Sequence, residues 1–278
     1  MKKMVAAVVV AGMGFSLFAF DLSAYIPLKG TIKNYTVTEY SITSKFGDYF
    51  RAPEKKITHV LNGAGFETES SEFTPRDVLV NKIDNTYNES GKLIAQAGYN
   101  VDNQLIWKTV ITCNSDGNKA DSSEYGSDGS LKSRTLYTYN SNKKLSDETA
   151  YDSNGVLVWK IIYAYDGADR LADESHYYSD GAFDRENKYT YTSSGTIDTI
   201  TVLDDSGAVV SRDFFRYGKD SMLNEITTCS ADNQTTGRRI LKYDATGNIV
   251  RISDYNVAKK FGTTVNELTD MTEYTYQY

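Results

Sequence analysis

Histidine and cysteine, which often carry out catalysis or bind metals, are few in this chain, and its acidic residues stand in no catalytic or metal-binding pattern. The only two histidines, His59 and His176, stand in no metal-ligand or catalytic-triad spacing. The paired acids Asp204 and Asp205 lie in a turn-like stretch. Residues 84–91, DNTYNESG, are rich in oxygen but lack the order of a calcium-binding loop. The sequence therefore predicts a protein that is not an enzyme and that has no cofactor and no metal site.

A tyrosine-centred turn recurs along the chain and defines the elements that must position any site. Its anchor residue returns at alternating spacings of 12 and 14 residues. Four residues past the anchor, nine of 16 positions are Gly, and six residues past it 13 of 16 are apolar, mostly Leu. This Tyr-Asp-x-x-Gly-x-Leu pattern is typical of a type I turn that ends in a glycine bulge. The anchors are Leu61, Phe73, Tyr87, Tyr99, Cys113, Tyr125, Tyr139, Tyr151, Tyr165, Tyr177, Tyr191, Leu203, Tyr217, Cys229, Tyr243 and Tyr255.

The spacings predict strands of about seven and about nine residues in alternation, so the repeated unit is a hairpin of 26 residues. The fold class expected is all-β, an antiparallel meander curled into an open or closed spiral or barrel-like sheet. Because every anchor is odd-numbered, odd positions should form an aromatic face and even positions a charged face.

Pairing each anchor with the apolar residue six positions later predicts the register. Trp159 should then face Thr149 and Tyr177, and Trp107 should face Tyr125. Tyr163 should likewise face Leu145 and Asp173, and His176 should lie on the charged face. The candidate ligand contacts are aromatic or variable residues of the odd face: Trp107, Tyr125, Trp159, Tyr177 and Arg185. The alternative is that these residues only fill the interior, with ion pairs such as Arg185 with Asp173.

The two ends of the chain leave the repeat frame. Residues 1–19 have two lysines followed by an apolar run, which is typical of a signal peptide and is short for a membrane span. Residues 20–60 and 256–278 are expected to form capping strands around the repeats of 61–255, with a longer connection over 256–270. The formal charge of −7 argues against nucleic-acid binding. The sequence predicts an exported protein, periplasmic, cell-surface or secreted, with no transmembrane span in the mature chain.

The turns YDSNGVL, YNESGKL, YGSDGSL and YDATGNI resemble those of the YD-repeat, or Rhs-like, family of secreted bacterial proteins. The resemblance covers roughly residues 61–255 and implies an exported β-sheet strip that winds around itself, often at the cell surface. Large members of the family enclose a toxin domain, whereas this chain has few strands and is similar to a short hairpin-array form. The resemblance implies no catalytic residue.

Two functions remain open from the sequence. One is a non-enzymatic scaffold or protein-interaction module, and the other is a carbohydrate- or cell-envelope-binding module, so the partner is an unidentified protein or glycan. An outer-membrane barrel is disfavoured because a lipid-facing surface must be apolar at mid-strand. The even face instead carries Lys132, Arg134, Lys160, Glu186, Lys188 and Arg212. Cys113 and Cys229 lie many strands apart and are expected to be unbonded.

Overall fold

A computed structural model describes residues 26–45, 48–260 and 262–278. The proposed signal peptide lies outside the described residues. The described residues form 18 β-strands and no helix. The strands are β1 (Asn34–Lys45), β2 (Asp48–Leu61), β3 (Glu67–Phe73), β4 (Leu79–Tyr87), β5 (Leu93–Asn100), β6 (Leu105–Cys113), β7 (Lys119–Gly126), β8 (Leu131–Tyr139), β9 (Leu145–Asp152), β10 (Leu157–Tyr165), β11 (Leu171–Tyr177), β12 (Phe183–Tyr191), β13 (Ile197–Leu203), β14 (Val209–Tyr217), β15 (Leu223–Ser230), β16 (Thr235–Tyr243), β17 (Ile249–Lys260) and β18 (Thr263–Gln277).

The predicted fold class is confirmed, since the strands form an antiparallel meander in which chain neighbours pair. The even-numbered strands from β4 to β16 have nine residues each, and the odd-numbered strands from β5 to β15 have seven or eight. These are called the long and short strands below. The first strand, β1, pairs with both β2 and the last strand, β18. The strand order therefore closes on itself, as in a β-barrel.

The described chain divides into two compact units. One contains the residues up to Val80 together with Thr236–Tyr278, and the other contains Asn81–Thr235. In the first unit, Asn248 is almost fully buried and bonds the backbone of Lys29 and the hydroxyl of Tyr278. In the second unit, the best-buried side chains lie in the last three strands and include Ile197, Ile200 and Ile226.

The repeated turn has the chemistry predicted for it. In the turn at Asp152, the Gly155 N–H donates to the Asp152 carbonyl, and the Asp152 N–H donates to the Val156 carbonyl. The residue four past the anchor has a positive φ in every turn from Gly65 to Gly247, whether it is Gly or not. Gly reaches this conformation without strain, and Asn and Asp tolerate it. The Asp of the Tyr-Asp pair has its own role, because its carboxylate accepts the N–H groups of Asn154 and Val156, each at 2.8 Å.

Each hairpin also contains a second irregularity that corrects the predicted faces. Tyr165 pairs with Leu171 as predicted, but Ala164 pairs with Asp173, so Ala172 is an extra residue in a β-bulge. The same shift follows the anchor in the other hairpins whose register is known, for example at Thr138/Tyr139 and Lys242/Tyr243. Beyond the bulge, an odd residue of one strand faces an even residue of the next. The prediction that all odd positions share one face is therefore wrong.

The two faces of the sheet are consequently built from different sets of residues. Beyond the bulge that follows each turn, the aromatic face consists of odd-numbered residues of the long strands and even-numbered residues of the short strands. The charged face consists of the complementary sets. Tyrosines that end long strands, such as Tyr165, lie on the aromatic face, whereas those that end short strands, such as Tyr177, lie on the charged face opposite Lys160.

The C-terminal end of the repeat also differs from the prediction. Tyr255 is not a turn anchor, because it lies inside β17 and pairs with Arg238 and Leu268. No longer connection interrupts residues 256–270: β17 runs to Lys260 and β18 begins at Thr263.

Candidate functional site

The two tryptophans lie on the aromatic face, each opposite a small residue. Trp107 pairs with Gly98, and its indole lies directly over that glycine, so that a β-carbon added there would come within 2.3 Å of Trp107 Nε1. Trp159 pairs with Ala150, which is buried. Small residues on one strand therefore make room for a large flat ring on the next.

The predicted aromatic platforms are not formed. Tyr177 pairs with Lys160, and Tyr125 pairs with Lys108, not with the tryptophans. Because Lys160 and Trp159 are adjacent in one strand, Tyr177 lies on the face opposite Trp159. The predicted pairing of Tyr163 with Asp173 is also wrong, since Tyr163 pairs with Glu174. The β-bulge that follows each turn shifts the pairing by one residue and accounts for all of these errors.

Arg185 makes contacts other than the predicted one. Its guanidinium bonds Asp184 at 2.7 Å and approaches His176 Nδ1 at 3.3 Å, while Asp173 bonds Lys188 instead. His176 lies on the aromatic face and not on the charged face. Its Nε2 is 2.6 Å from Glu174 Oε1, and its side chain is only 14% exposed.

A group of ionisable side chains extends along the aromatic face from β7 to β12. We call Lys119, Glu148, Tyr163, Glu174, His176 and Arg185 the polar cluster. The Tyr163 hydroxyl donates to Glu148 Oε1 at 3.1 Å, and the Tyr189 hydroxyl donates to Glu174 Oε2 at 3.0 Å. Lys119 Nζ lies 4.3 Å from the centre of the Tyr137 ring. Among the ion pairs of the described residues, none joins Lys119 to Glu148.

Burial shifts the protonation equilibria of this cluster. Burial raises the pKa of Glu148, and the Tyr163 hydrogen bond and the charge of Lys119 offset part of the change. Burial lowers the pKa of Lys119, and the charge of Glu148 acts in the opposite direction. Burial also acts to raise the pKa of Glu174, but the hydrogen bond and charge of His176 prevail, so that this pKa is lowered. Ionisable groups with shifted pKa values and a specific charge partner are more frequent at functional sites.

Sequence reasoning missed Lys119, Glu148 and Glu174. The two glutamates are even-numbered, so the uniform odd-and-even rule placed them on the charged face with ordinary surface acids. A signal for Lys119 was present, because it occupies the position six past an anchor, where Leu is usual.

The charged face has its own regular feature. A basic residue of a long strand pairs with the tyrosine that ends the following short strand in four successive hairpins. In the first of these pairs, Lys82 Nζ lies 5.2 Å from the centre of the Tyr99 ring. The pairs are Lys82 with Tyr99, Lys108 with Tyr125, Arg134 with Tyr151 and Lys160 with Tyr177.

Comparison with known proteins identifies a similar fold but no family. No protein-family model and no curated protein matches the chain. Its structure is similar to that of a porin-like protein from Bacteroides uniformis ATCC 8492, with a TM-score of 0.51 and 10% identity, covering 90% of this chain and 99% of that one. It also matches the Photorhabdus luminescens Tc holotoxin pore, with a TM-score of 0.34 and 12% identity, over 79% of this chain and 16% of that one.

The first similarity shows a shared fold, and the second is too weak to carry an argument. At 10% identity, the likeness to the porin-like protein gives no function to this chain. No helix among the described residues is long and apolar enough to cross a membrane. The chain therefore shares the fold of a porin-like protein, and its function has to be argued from its own residues.

Proposed function

We propose that this chain is an exported, non-enzymatic repeat scaffold of the cell envelope that binds a partner through the faces of its sheet. The observation that carries the proposal is that recurring and variable residues of each repeat have different roles. Residues that recur every 26 positions are used by the sheet itself, whereas the side chains between them vary. A scaffold is built in this way, because regular positions maintain the repeat and variable positions recognise the partner.

The recurring tyrosine gives the clearest example of a residue used by the sheet. The hydroxyls of Tyr139, Tyr165 and Tyr191 donate to the carbonyls of Lys119, Leu145 and Leu171, each at 2.7 Å and each 20 residues back in the chain. Each acceptor directly precedes a bulged residue, where the ladder register shifts. The turn carboxylate is likewise used to accept backbone N–H groups, and the residue with positive φ is needed for the backbone path of the turn.

Export and membership of the YD-repeat family belong to the same proposal. The lysines and apolar run of residues 1–19 support export through a signal peptide. The turn chemistry described above supports a short member of the YD-repeat family, because the Tyr, Asp and Gly of the motif each have a structural task. The porin-like fold is compatible with a place in a bacterial envelope.

Site-specific photo-crosslinking in intact cells tests the scaffold role. A benzoylphenylalanine at Val158, a bulged residue of β10 that is 46% exposed, should give a crosslink to one recurrent envelope component. The same residue at Ser153, in an exposed turn, serves as the control position. Equal crosslinking to many components from both positions, or none from either, would contradict the proposal.

A second candidate, a glycan-binding module, is favoured by the tryptophans. Trp107 lies flat over Gly98, and Trp159 stands beside the polar cluster on the same face. Flat aromatic rings next to hydrogen-bonding groups present apolar area at low entropic cost and suit a sugar ring.

A further inference from the structure

The 26-residue repeat allows equivalent positions of one chain to be compared with each other. At one such position the residue type changes along the chain from uncharged polar to acidic to aliphatic. It lies on the aromatic face, nine residues past the anchor that ends each long strand. In the last three repeats it is Ile200, Ile226 or Ile252, and all three are at most 8% exposed. The full series is Ser70, Gln96, Ser122, Glu148, Glu174, Ile200, Ile226 and Ile252.

Lys119, in the same region, also differs in residue type from the residues at the equivalent positions of the other short strands. The equivalent residues at the starts of the other short strands from β5 to β15 are Leu or Ile. They are Leu93, Leu145, Leu171, Ile197 and Leu223. Lys119 thus stands where the other repeats have an aliphatic residue, and Glu148 and Glu174 stand where three earlier repeats have Ser or Gln and three later repeats have Ile. The three charged residues lie in consecutive hairpins, and the architecture accommodates an aliphatic residue at both positions elsewhere.

Such replacements are unfavourable for stability unless another interaction compensates. Burying an ionised group is costly, and apolar residues of similar volume are often at least as stable. The pKa of Lys119 is lowered and that of Glu148 is raised, mainly by burial in both cases. Proteins keep residues that violate the local rule chiefly where function needs them.

The arrangement of the cluster indicates the ligand. Lys119 and Arg185 carry two positive charges, Glu148 and Glu174 carry two negative charges, and Arg185 is also paired with Asp184, so no group of like charges is left to select a charged ligand. The Lys119 ammonium is a donor, the carboxylates are acceptors, and hydroxyl groups can serve both. Trp159 lies on the same face as Glu148, opposite Ala150, and offers a flat ring beside the polar groups.

We propose that the polar cluster and Trp159 bind a neutral sugar on the aromatic face between β7 and β12, an inference that rests on the glycan-binding form of the proposed function. Lys119 donates to ring or hydroxyl oxygens, Glu148 and Glu174 accept from hydroxyl groups, and Trp159 packs on the sugar ring. The site differs from the aromatic platforms expected from the sequence, because Tyr125 and Tyr177 lie on the other face.

The experiment uses the internal repeat to separate binding from stability. Glucose, galactose, N-acetylglucosamine, maltose and cellobiose are titrated by calorimetry into the mature chain and into Lys119→Leu, Glu148→Ile and Glu148→Gln. The first two variants restore the aliphatic residues of the equivalent positions. We expect at least one sugar to bind the parent chain saturably and to bind each variant at least tenfold more weakly. The melting temperatures of Lys119→Leu and Glu148→Ile should equal or exceed that of the parent chain.

Lys108→Leu is the matched control, because it removes a lysine from the charged face and should leave sugar binding unchanged. If Lys119→Leu or Glu148→Ile fails to fold, Glu148→Gln keeps the side-chain volume and still tests binding. The proposal is overturned if no sugar of the panel binds, if Lys119→Leu and Glu148→Gln bind normally, or if the aliphatic variants melt well below the parent chain. The scaffold role would survive such a result, since photo-crosslinking from Val158 measures it independently.

Discussion

At the scale of single residues, the tyrosine that ends each long strand acts through its hydroxyl as well as its ring. The Tyr165 hydroxyl satisfies the Leu145 carbonyl at 2.7 Å, next to the bulge at Ser146. A buried carbonyl left without a donor lowers stability, so the hydroxyl explains why tyrosine and not phenylalanine recurs at this position.

Tyr165→Phe should therefore lower the free energy of unfolding by about 1 kcal/mol, because the ring stays and only the hydrogen bond is lost. Tyr177→Phe is the matched control: its hydroxyl has no hydrogen bond to any described residue. We expect the control to change stability by less than about 0.5 kcal/mol. Urea unfolding followed by circular dichroism measures both, and equal effects would contradict the role given to the Tyr165 hydroxyl.

The turn aspartates make the protein sensitive to acid. The backbone N–H of Val156 is the main cause of the lowered pKa of Asp152, and Asn154 contributes further hydrogen bonds. A carboxylate whose pKa is depressed by folding stabilises the native state above its unfolded pKa of about 3.9. This contribution is lost as the pH falls through the lower, folded value.

Asp152→Asn should remove that pH dependence while keeping the turn. An amide oxygen accepts the same two N–H groups in other hairpins, as Asn88 does from Ser90 and Lys92 at 3.0 Å. Melting temperatures measured from about pH 7 to pH 2 should fall less steeply in the variant. If the melting temperature of the variant fell as steeply at low pH as that of the parent chain, Asp152 would not contribute to the acid sensitivity.

At the scale of the hairpin, the bulged residue decides which side chains lie on which face. Val158 is such a residue: Leu157 pairs with Tyr151 and Trp159 pairs with Ala150, so Val158 has no partner of its own. The residues on either side of Val158 pair with consecutive residues of β9, so the extra residue changes which numbered positions of β10 lie on each face without breaking the pairing.

Inserting one alanine after Ile161, in the regular part of β10, should place Ile162 on the aromatic face and Tyr163 on the charged face, and should strongly destabilise the protein. Val158→Lys is the control, because Lys132 occupies the equivalent position of β8, and its stability should be close to that of the parent chain. Thermal melts compare the two. An insertion variant as stable as the control would mean that the alternation of side chains between the two faces has no structural importance.

The same bulge marks the boundary between what the sequence predicts and what it does not. The period of Tyr, Asp and Gly reveals the turns, the strand lengths and the pairing of Tyr165 with Leu171, because each depends on local backbone geometry. The extra residue at Ala172 has no distinctive type, and the corresponding residues elsewhere include Val158, Lys132 and Asp184. Faces beyond it, and hence the site residues Glu148 and Glu174, could not be placed without the structure.

At the scale of the whole molecule, the antiparallel pairing of β1 with β18 constrains the number of strands. A closed antiparallel sheet requires an even number, because the last strand must run opposite to the first. Deleting residues 139–164 removes one hairpin, joins Thr138 to Tyr165 and leaves 16 strands out of 18. We expect this variant to fold, with a strand-type circular dichroism spectrum and a cooperative melt.

Deleting residues 140–151 is the informative control. It joins Tyr139 to Asp152 and keeps a complete Tyr-Asp turn, but it removes one strand only. The strands that follow would then run the wrong way for β1 to pair with β18. This variant should aggregate or lose its cooperative melt, since open strand edges promote association. Equal behaviour of the two deletions would argue against a closed strand order.

The pairing of β1 with β18 also differs from the other strand pairings in how far apart the paired residues lie in the sequence. Neighbouring strands of the meander are joined by short turns, so their pairing needs only local loop closure, whereas Asn34 meets Gln277 across nearly the full chain. The entropy lost in closing a loop grows with the logarithm of its length, and contacts of high sequence separation slow folding. Each hairpin can thus form independently of the others. The pairing of β1 with β18 is the step that must wait for both ends of the described sheet.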